Sequence, residues 1–267
     1  MTTLRELGNL KGRRALITGA AGGLGQIFAE TLAELGADLI LVDLPGTDLL
    51  ALADKINKIW GVSAEEIFCD LADQDERSNL VKQATNSKHM LNILVNNAAL
   101  VGTSDLEGWN VPFGKQSIDT WRRATEINLT AIFDLSQRFF PFMKNSTGAN
   151  IVNIASIYGS YGPDWSLYKD TEMGNPAAYA ATKGGLIQLT RWLATTIAPS
   201  VRVNAISPGG VLRGQPKRFQ TRYESKTPLG RMAAEEDLKG ALAYLVSDLS
   251  AYVTGQNLQV DGGWGSW

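Results

Sequence analysis

Hydrophobic positions along the chain fall into two alternating kinds of run. Short, nearly continuous apolar runs lie at 14–18 (RALIT), 38–43 (DLILVD), 65–70 (EEIFCD), 91–97 (LNILVNN), 149–156 (ANIVNIAS), 201–207 (VRVNAIS) and 257–262 (NLQVDG). Between them the apolar residues recur at helical spacing, in GLGQIFAETLAELG (23–36) and near 47–60, 73–86, 117–145, 178–198 and 234–248. Strands this apolar are buried on both faces, as in a parallel sheet covered by helices. Alternating β and α units with right-handed crossovers give an α/β, doubly wound fold. The pattern predicts a single domain over 1–267, with a mainly parallel seven-stranded sheet and helices on both faces. Two connections are too long for plain loops: 157–177 and 208–230. Both follow strands, so both belong to the sheet edge where such folds bind ligands.

The turn TGAAGGLG (18–25) joins the first strand to the first long helix. Its glycines, Gly19, Gly23 and Gly25, let backbone N–H groups and a helix N-terminus approach a diphosphate. Asp43 ends the second strand, where a carboxylate accepts hydrogen bonds from adenosine ribose hydroxyls and repels a 2′-phosphate. No Arg or Lys lies within 18–25, so the turn reads as a site for NAD rather than NADP.

Tyr179 and Lys183 stand four apart in YAATKGG, on one face of a predicted helix. An ammonium beside a phenol favours phenolate, which makes a Tyr usable as an acid/base near neutrality. An isolated pair of this kind is usually a half-buried ring with a solvated amine. The rest of the chain decides between the two.

Composition narrows the chemistry. The chain has 267 residues, 44% hydrophobic and 19% charged, with a net charge of −2. That balance argues against a nucleic-acid or membrane-surface partner. The N-terminus lacks the apolar stretch of a signal peptide, and the single cysteine, Cys69, fits a cytoplasmic location. One cysteine and one histidine, His89, cannot make a Cys/His zinc site, and no metal is expected. A Ser-His-Asp mechanism would rest on His89 alone, in a polar turn.

With these residues in place, the chain resembles the short-chain dehydrogenase/reductase family from about 11 to 263. TGAAGGLG, with Gly19, Gly23, Leu24 and Gly25, matches the family's glycine turn, and CDLAD puts Asp70 and Leu71 where the family meets adenine. NNAA brings Asn97, Ala98 and Ala99, with Ala99 replacing the usual glycine. INLT supplies Asn128, NIAS Ser156 and YAATK the Tyr179–Lys183 pair; NAISPGGV supplies Pro208, Gly209 and Val211. VTGQNLQVDGG matches the last strand.

The resemblance implies NAD chemistry with Tyr179 as general acid/base and Lys183 lowering its pKa while holding the nicotinamide ribose. Ser156 would bond the substrate oxygen, and Asn128 would hold a water linked to Lys183. It also implies a homotetramer, or a homodimer, built on helices 117–145 and 178–198. An oxidoreductase acting on a secondary alcohol or ketone follows. An isomerase, epimerase or dehydratase with transient redox would keep the same four residues, and a non-catalytic NAD-binding partner would not need them. Two departures stand out. The stretch from Ser156 to Tyr179 is longer than in the family, and Leu212 and Arg213 stand where a Thr often touches the carboxamide. The long 157–177 loop and the 209–226 stretch are similar to a subgroup associated with bacterial sugar and flagellin-glycan biosynthesis.

The substrate side is read from charge. Arg213, Lys217, Arg218, Arg222 and Lys226 face only Glu224 within 213–226, a local excess of +4 (five minus one). A positive field over a cleft gathers anions. Arg213 and Arg218 are therefore candidate substrate residues, joined by Tyr158 and Trp165 from the aromatic 157–177 segment (which also holds Tyr161 and Tyr168 and reads equally as a surface loop or oligomer contact), and a phosphorylated or nucleotide-linked sugar is the expected ligand.

Overall fold

The computed structural model describes residues 1–86, 90–102 and 104–267. His89 lies outside them. A short helix, α1 (Leu4–Leu7), precedes β1 (Arg14–Thr18), α2 (Gly23–Glu34), β2 (Asp38–Asp43), α3 (Leu49–Trp60), β3 (Ala64–Phe68), α4 (Gln74–Thr85) and β4 (Ile93–Asn96). The second half runs α5 (Ile118–Thr125), α6 (Ala131–Met143), β5 (Asn150–Ile154), α7 (Ala177–Thr196), β6 (Arg202–Pro208), α8 (Lys217–Lys226), α9 (Lys239–Val246) and β7 (Asn257–Val260). The seven strands form one sheet in the order β3-β2-β1-β4-β5-β6-β7, and every described pairing is parallel.

Each strand feeds two cores because successive side chains point to opposite faces. On one face Ala15, Ile17, Leu39, Leu41 and Val95 pack with Phe28 and Leu32 of α2, Leu52 and Ile56 of α3, and Leu242 of α9. On the other, Leu16, Ile40, Val42, Leu94 and Ile151 pack with Leu80 of α4, Leu135 and Phe139 of α6, and Leu193 of α7. The strand order reverses between β1 and β4. At such a reversal the connections leave for opposite faces of the sheet, and a crevice forms beyond the strand ends.

Three elements differ from the sequence pattern. The helix expected over 117–145 is interrupted by a π turn, Glu126–Thr130, between α5 and α6. The buried Arg77 anchors that turn with ion pairs of 2.8 Å to Glu126 and 2.8 Å to Asp134. The connection 208–230 is not all loop, since it contains α8. The helix expected over 234–248 is a 3₁₀ turn, Glu235–Leu238, followed by α9. Among the aromatic and aliphatic residues of α6 and α7, Ile132 and Phe139 are buried in the chain's own core, whereas Phe133 and Trp192 stay exposed. Among the described residues, no helix is long and apolar enough to cross a membrane.

Candidate active site

A cleft of about 1260 Å³ runs across the C-terminal ends of the strands. Its first half is built by the glycine turn. Gly19 has φ of +66°, and a Cβ there would lie 2.8 Å from the Ala98 Cα. A Cβ on Gly25 would lie 2.0 Å from the Gly19 carbonyl oxygen. Only glycine allows the turn to fold this tightly against β4 and its own helix. Thr18 Oγ1 accepts from the backbone N–H groups of Asn97 and Ala98, both at 3.1 Å. The Asn97 amide donates to the Thr18 and Gly19 carbonyls at 3.0 Å each. The two strand ends are thereby stitched together.

Asp43 is fixed by the turn that it faces. Its carboxylate accepts from the Ala21 N–H at 2.8 Å and from the Leu44 N–H at 2.8 Å. Asp43, Leu44, Thr47, Asp70 and Leu71 line this end of the cleft, with two carboxylates and no cation. Gly19, Gly23, Leu24, Gly25, Asn97, Ala98, Ala99, Pro208, Gly209 and Val211 line it as well. The glycine-only cradle, the α2 N-terminus and the anchored acid fit an adenine dinucleotide. Cys69, at the same edge, is buried, and burial pushes its thiol up to about 12, so it is inert.

Tyr179, Lys183 and Ser156 meet where the cleft widens. Ser156 lies two residues beyond the end of β5, where its Oγ accepts from the Tyr158 N–H at 3.2 Å, and it lines the same cleft as the Tyr179 phenol. Lys183 is buried beneath the ring, its Nζ 5.8 Å from the ring centroid and 2.6 Å from the Ile154 carbonyl oxygen, to which it donates. Burial pulls this ammonium down to about 8. The phenol is not lowered as the sequence pattern suggests. Burial raises Tyr179, while the Ser156 hydroxyl and the Arg213 charge act in the opposite sense. Desolvation penalises phenolate and ammonium alike, so proximity alone does not ionise the phenol. Asn128, in the π turn, lies behind the cleft wall and is wholly buried. Its Oδ1 accepts from the Leu100 N–H at 2.8 Å; its Nδ2 donates to the Leu100 carbonyl at 3.0 Å and to Thr182 Oγ1 at 3.3 Å. Its amide thus ties the loop after β4 to α7, at the residue just before Lys183.

The wider half of the cleft has an aromatic wall. Tyr158 and Tyr168 share a 2.6 Å hydrogen bond between their hydroxyls. Tyr223 accepts from the Gly210 N–H at 2.6 Å. Burial raises all three phenols, Tyr168 to about 12, so they serve as neutral hydrogen-bonding groups. Only Tyr179 has both a serine hydroxyl and a cation opposing that rise. Phe219, Met173 and Met232 complete the wall. Asn175 lies in it too, buried, with both amide atoms unpartnered.

Sequence reasoning missed Tyr223, Phe219 and Asn175, and placed Tyr168 only within a segment that could be a substrate rim. Phe219 and Tyr223 did carry a signal: they stand four apart in an otherwise basic segment, which marks an inward helix face.

The basic segment is largely neutralised. Arg213 pairs with Glu235 at 2.7 Å, Lys217 with Glu224 at 4.0 Å and Arg222 with Asp170 at 3.7 Å; Lys226 pairs with Asp164. Lys226 and Ser166 together hold the Asp164 carboxyl down to about 2. Asp164 and Asp170 come from the other insertion, so the +4 read along the sequence does not survive folding. Two candidate substrate residues also move away. Trp165 points outward, 60% exposed, with its ring 5.7 Å from that of Tyr168. Arg218 is exposed on the outer side of α8 and does not line the cleft. Tyr158 and Arg213 do line it. Among the described residues no cluster of His, Cys, Asp and Glu could hold a metal.

Comparison with known proteins agrees with this geometry. A family model described as enoyl-(acyl carrier protein) reductase matches residues 19–265. The trans-4-hydroxycyclohexanecarboxylate dehydrogenase of Sinomonas cyclohexanicum is 34% identical over 93% of this chain and 91% of its own. A short chain dehydrogenase from Leptospira borgpetersenii, solved with bound NAD+, is 33% identical, with a TM-score of 0.83 over 99% of this chain and 96% of that one. A gluconate 5-dehydrogenase from Burkholderia cenocepacia, solved with NADP and tartrate, is 28% identical, with a TM-score of 0.87 over 99% and 100% of the two chains. With the sheet order, the glycine turn and the Ser156–Tyr179–Lys183 cluster alike in place, the chain belongs to the short-chain dehydrogenase/reductase family.

Proposed function

We propose that the protein transfers hydride between NAD(H) and a secondary alcohol or its ketone, with Tyr179 as the proton-transfer group. The observation that carries this reading is the stacking of the Tyr179 phenol over the buried Lys183, with Ser156 on the same wall, at the junction of the dinucleotide half and the aromatic half of the cleft. A bound nicotinamide supplies the hydride acceptor or donor. The chain supplies everything else. Ser156 and Tyr179 hold the substrate oxygen, and Tyr179 Oη takes or returns its proton. Lys183, fixed by the Ile154 carbonyl, places a cation under the phenol as negative charge develops there. Asn128 is a positioning residue, since it locks the loop after β4 onto α7.

The aromatic wall suits a ring alcohol or a short polyol, whose C–H faces pack on Tyr158, Tyr168 and Phe219 while hydroxyls meet the phenols. A phosphorylated or nucleotide-linked sugar draws less support, because four of the five basic residues of 213–226 are already paired. Hydroxy acids such as those in the names of two relatives remain within the reading.

NAD is preferred over NADP because the Asp43 carboxylate, anchored to Ala21 and Leu44, faces the ribose end with Asp70 near it. The test is an absorbance assay at the nicotinamide band with a panel of ring alcohols, polyols and hydroxy acids. Wild type should reduce NAD in step with alcohol consumed. Asp43→Ala should narrow its preference for NAD over NADP by about ten-fold, since a charge-assisted bond is worth roughly 1.5–3 kcal/mol. A wild type that already favours NADP defeats the role of Asp43. Isomerised product without net absorbance change would assign the site to the isomerase reading instead.

We also infer self-association through α6 and α7, where Phe133, Phe142 and Trp192 remain exposed. A monomer by sedimentation at micromolar concentration would contradict it.

A further inference from the structure

Arg213 was read from the sequence as a substrate residue, but its surroundings belong to the glycine turn. Its backbone is pinned. The Leu212 N–H donates to the Ala233 carbonyl at 2.8 Å, and the Arg213 N–H donates to the Gln215 side chain at 2.7 Å. The guanidinium sends Nε, at 2.8 Å, and Nη2, at 2.7 Å, to a single oxygen of Glu235. This pair lies on the first residue of α2. A Cβ on Gly23 would lie 2.1 Å from that Glu235 oxygen and 3.1 Å from Arg213 Nη2. Gly22, the N-cap of α2, gives the first turn no side-chain acceptor. A carboxylate therefore rests beside the end of α2 that attracts anions, where the glycine cradle receives a diphosphate. The guanidinium beside it has a planar fork that suits phosphate oxygens, and its other donors are not taken up by Glu235.

We propose that Arg213 is a diphosphate clamp for the dinucleotide, held in reserve by Glu235. In the free protein Glu235 occupies the anion position and keeps the guanidinium over the turn. When a dinucleotide binds, Glu235 leaves the N-terminus of α2 and Arg213 exchanges its carboxylate partner for the diphosphate. The proposal rests on the dinucleotide reading and adds to it a residue and an internal competitor. It also gives a reason for an arginine at a position where the family often carries a threonine.

Equilibrium binding of ADP-ribose, with adenosine as the probe lacking phosphate, tests it by calorimetry on wild type, Arg213→Gln, Glu235→Gln and the double variant. Arg213→Gln should raise the Kd for ADP-ribose about ten-fold, the loss of charge-assisted bonds to an anion. Glu235→Gln should lower it about three-fold by removing the competitor, a modest charge effect at a half-exposed site. The double variant should bind ADP-ribose more tightly than Arg213→Gln and more weakly than Glu235→Gln, and adenosine should bind all four alike. An Arg213→Gln protein with wild-type affinity for ADP-ribose overturns the clamp, as does an equal loss for adenosine. A Glu235→Gln protein that binds ADP-ribose no more tightly than wild type overturns the competition. If wild type binds no ADP-ribose at all, the dinucleotide reading fails, and the clamp with it; the wild-type titration alone separates that failure from the others.

Discussion

A Tyr179→Phe protein should fold, bind NADH as wild type does and turn over about 10²–10⁴-fold more slowly, the range that a positioned acid/base contributes. The ring of Tyr179 packs beside Trp109, Ala124 and Ala178, and phenylalanine keeps all of that packing. What disappears is one oxygen, the one at the head of the ring that Lys183 underlies. The three neighbouring phenols do not replace it. Burial holds Tyr158, Tyr168 and Tyr223 in the protonated form, and their hydroxyls are engaged with one another or with the Gly210 N–H. Because only chemistry is removed, the loss should appear in kcat, with cofactor affinity unchanged. Wild-type turnover by a folded Tyr179→Phe protein would take the phenol out of the mechanism.

Gly25→Ala should abolish tight dinucleotide binding, raising the Kd by at least about 100-fold, and should lower Tm by roughly 2–10 °C. The added methyl would meet the Gly19 carbonyl oxygen at 2.0 Å and the Ala20 Cα and C at 2.8 and 2.9 Å. These are backbone atoms, so no side-chain rotation relieves the clash, and the turn must rebuild away from the cleft. Gly240→Ala is the control. That glycine lies in α9 with nothing within 4 Å of a built Cβ, and alanine there should be neutral or stabilising by about 1 kcal/mol. Scanning calorimetry and NADH titration of the two variants decide the matter. Unchanged affinity in Gly25→Ala would mean that the turn does not hold the cofactor.

The sheet was legible because its strands are apolar on both faces, and a run such as DLILVD has few other ways to be buried. The strand ends were less so. The last residues of the runs at 65–70 and 91–97 turn away from the ladder to line the cleft. The π turn at Glu126–Thr130 was hidden because apolar spacing continues through it into α6. Positions of Ser156, Tyr179 and Lys183 could be read from motifs, but their electrostatics could not. The partner of Lys183 is a backbone carbonyl on β5, which no sequence pattern names, and the burial that raises Tyr179 is a property of the assembled pocket. The charge of 213–226 misled for a related reason. Local sums count neighbours along the chain, whereas Asp164, Asp170 and Glu235 reach the same cations through space.

The pairing of the two insertions has a further consequence for how this protein can vary. Rings run from Trp165 through Tyr168, Phe219 and Tyr223 to Trp264 at centroid spacings of 5.7, 5.4, 5.9 and 4.5 Å, and Asp164 and Asp170 hold Lys226 and Arg222 across the same seam. In recombination terms, 157–177, α8 and the C-terminal tail form one linkage group, although α7 and β6 separate the first from the second. A crossover anywhere along α7 inherits half of the aromatic wall, with unmatched cations on one side and an unfilled aromatic gap on the other. A change of wall on this scaffold therefore requires exchanging all three pieces together, while the glycine turn and Asp43, which precede α7, are carried along unchanged.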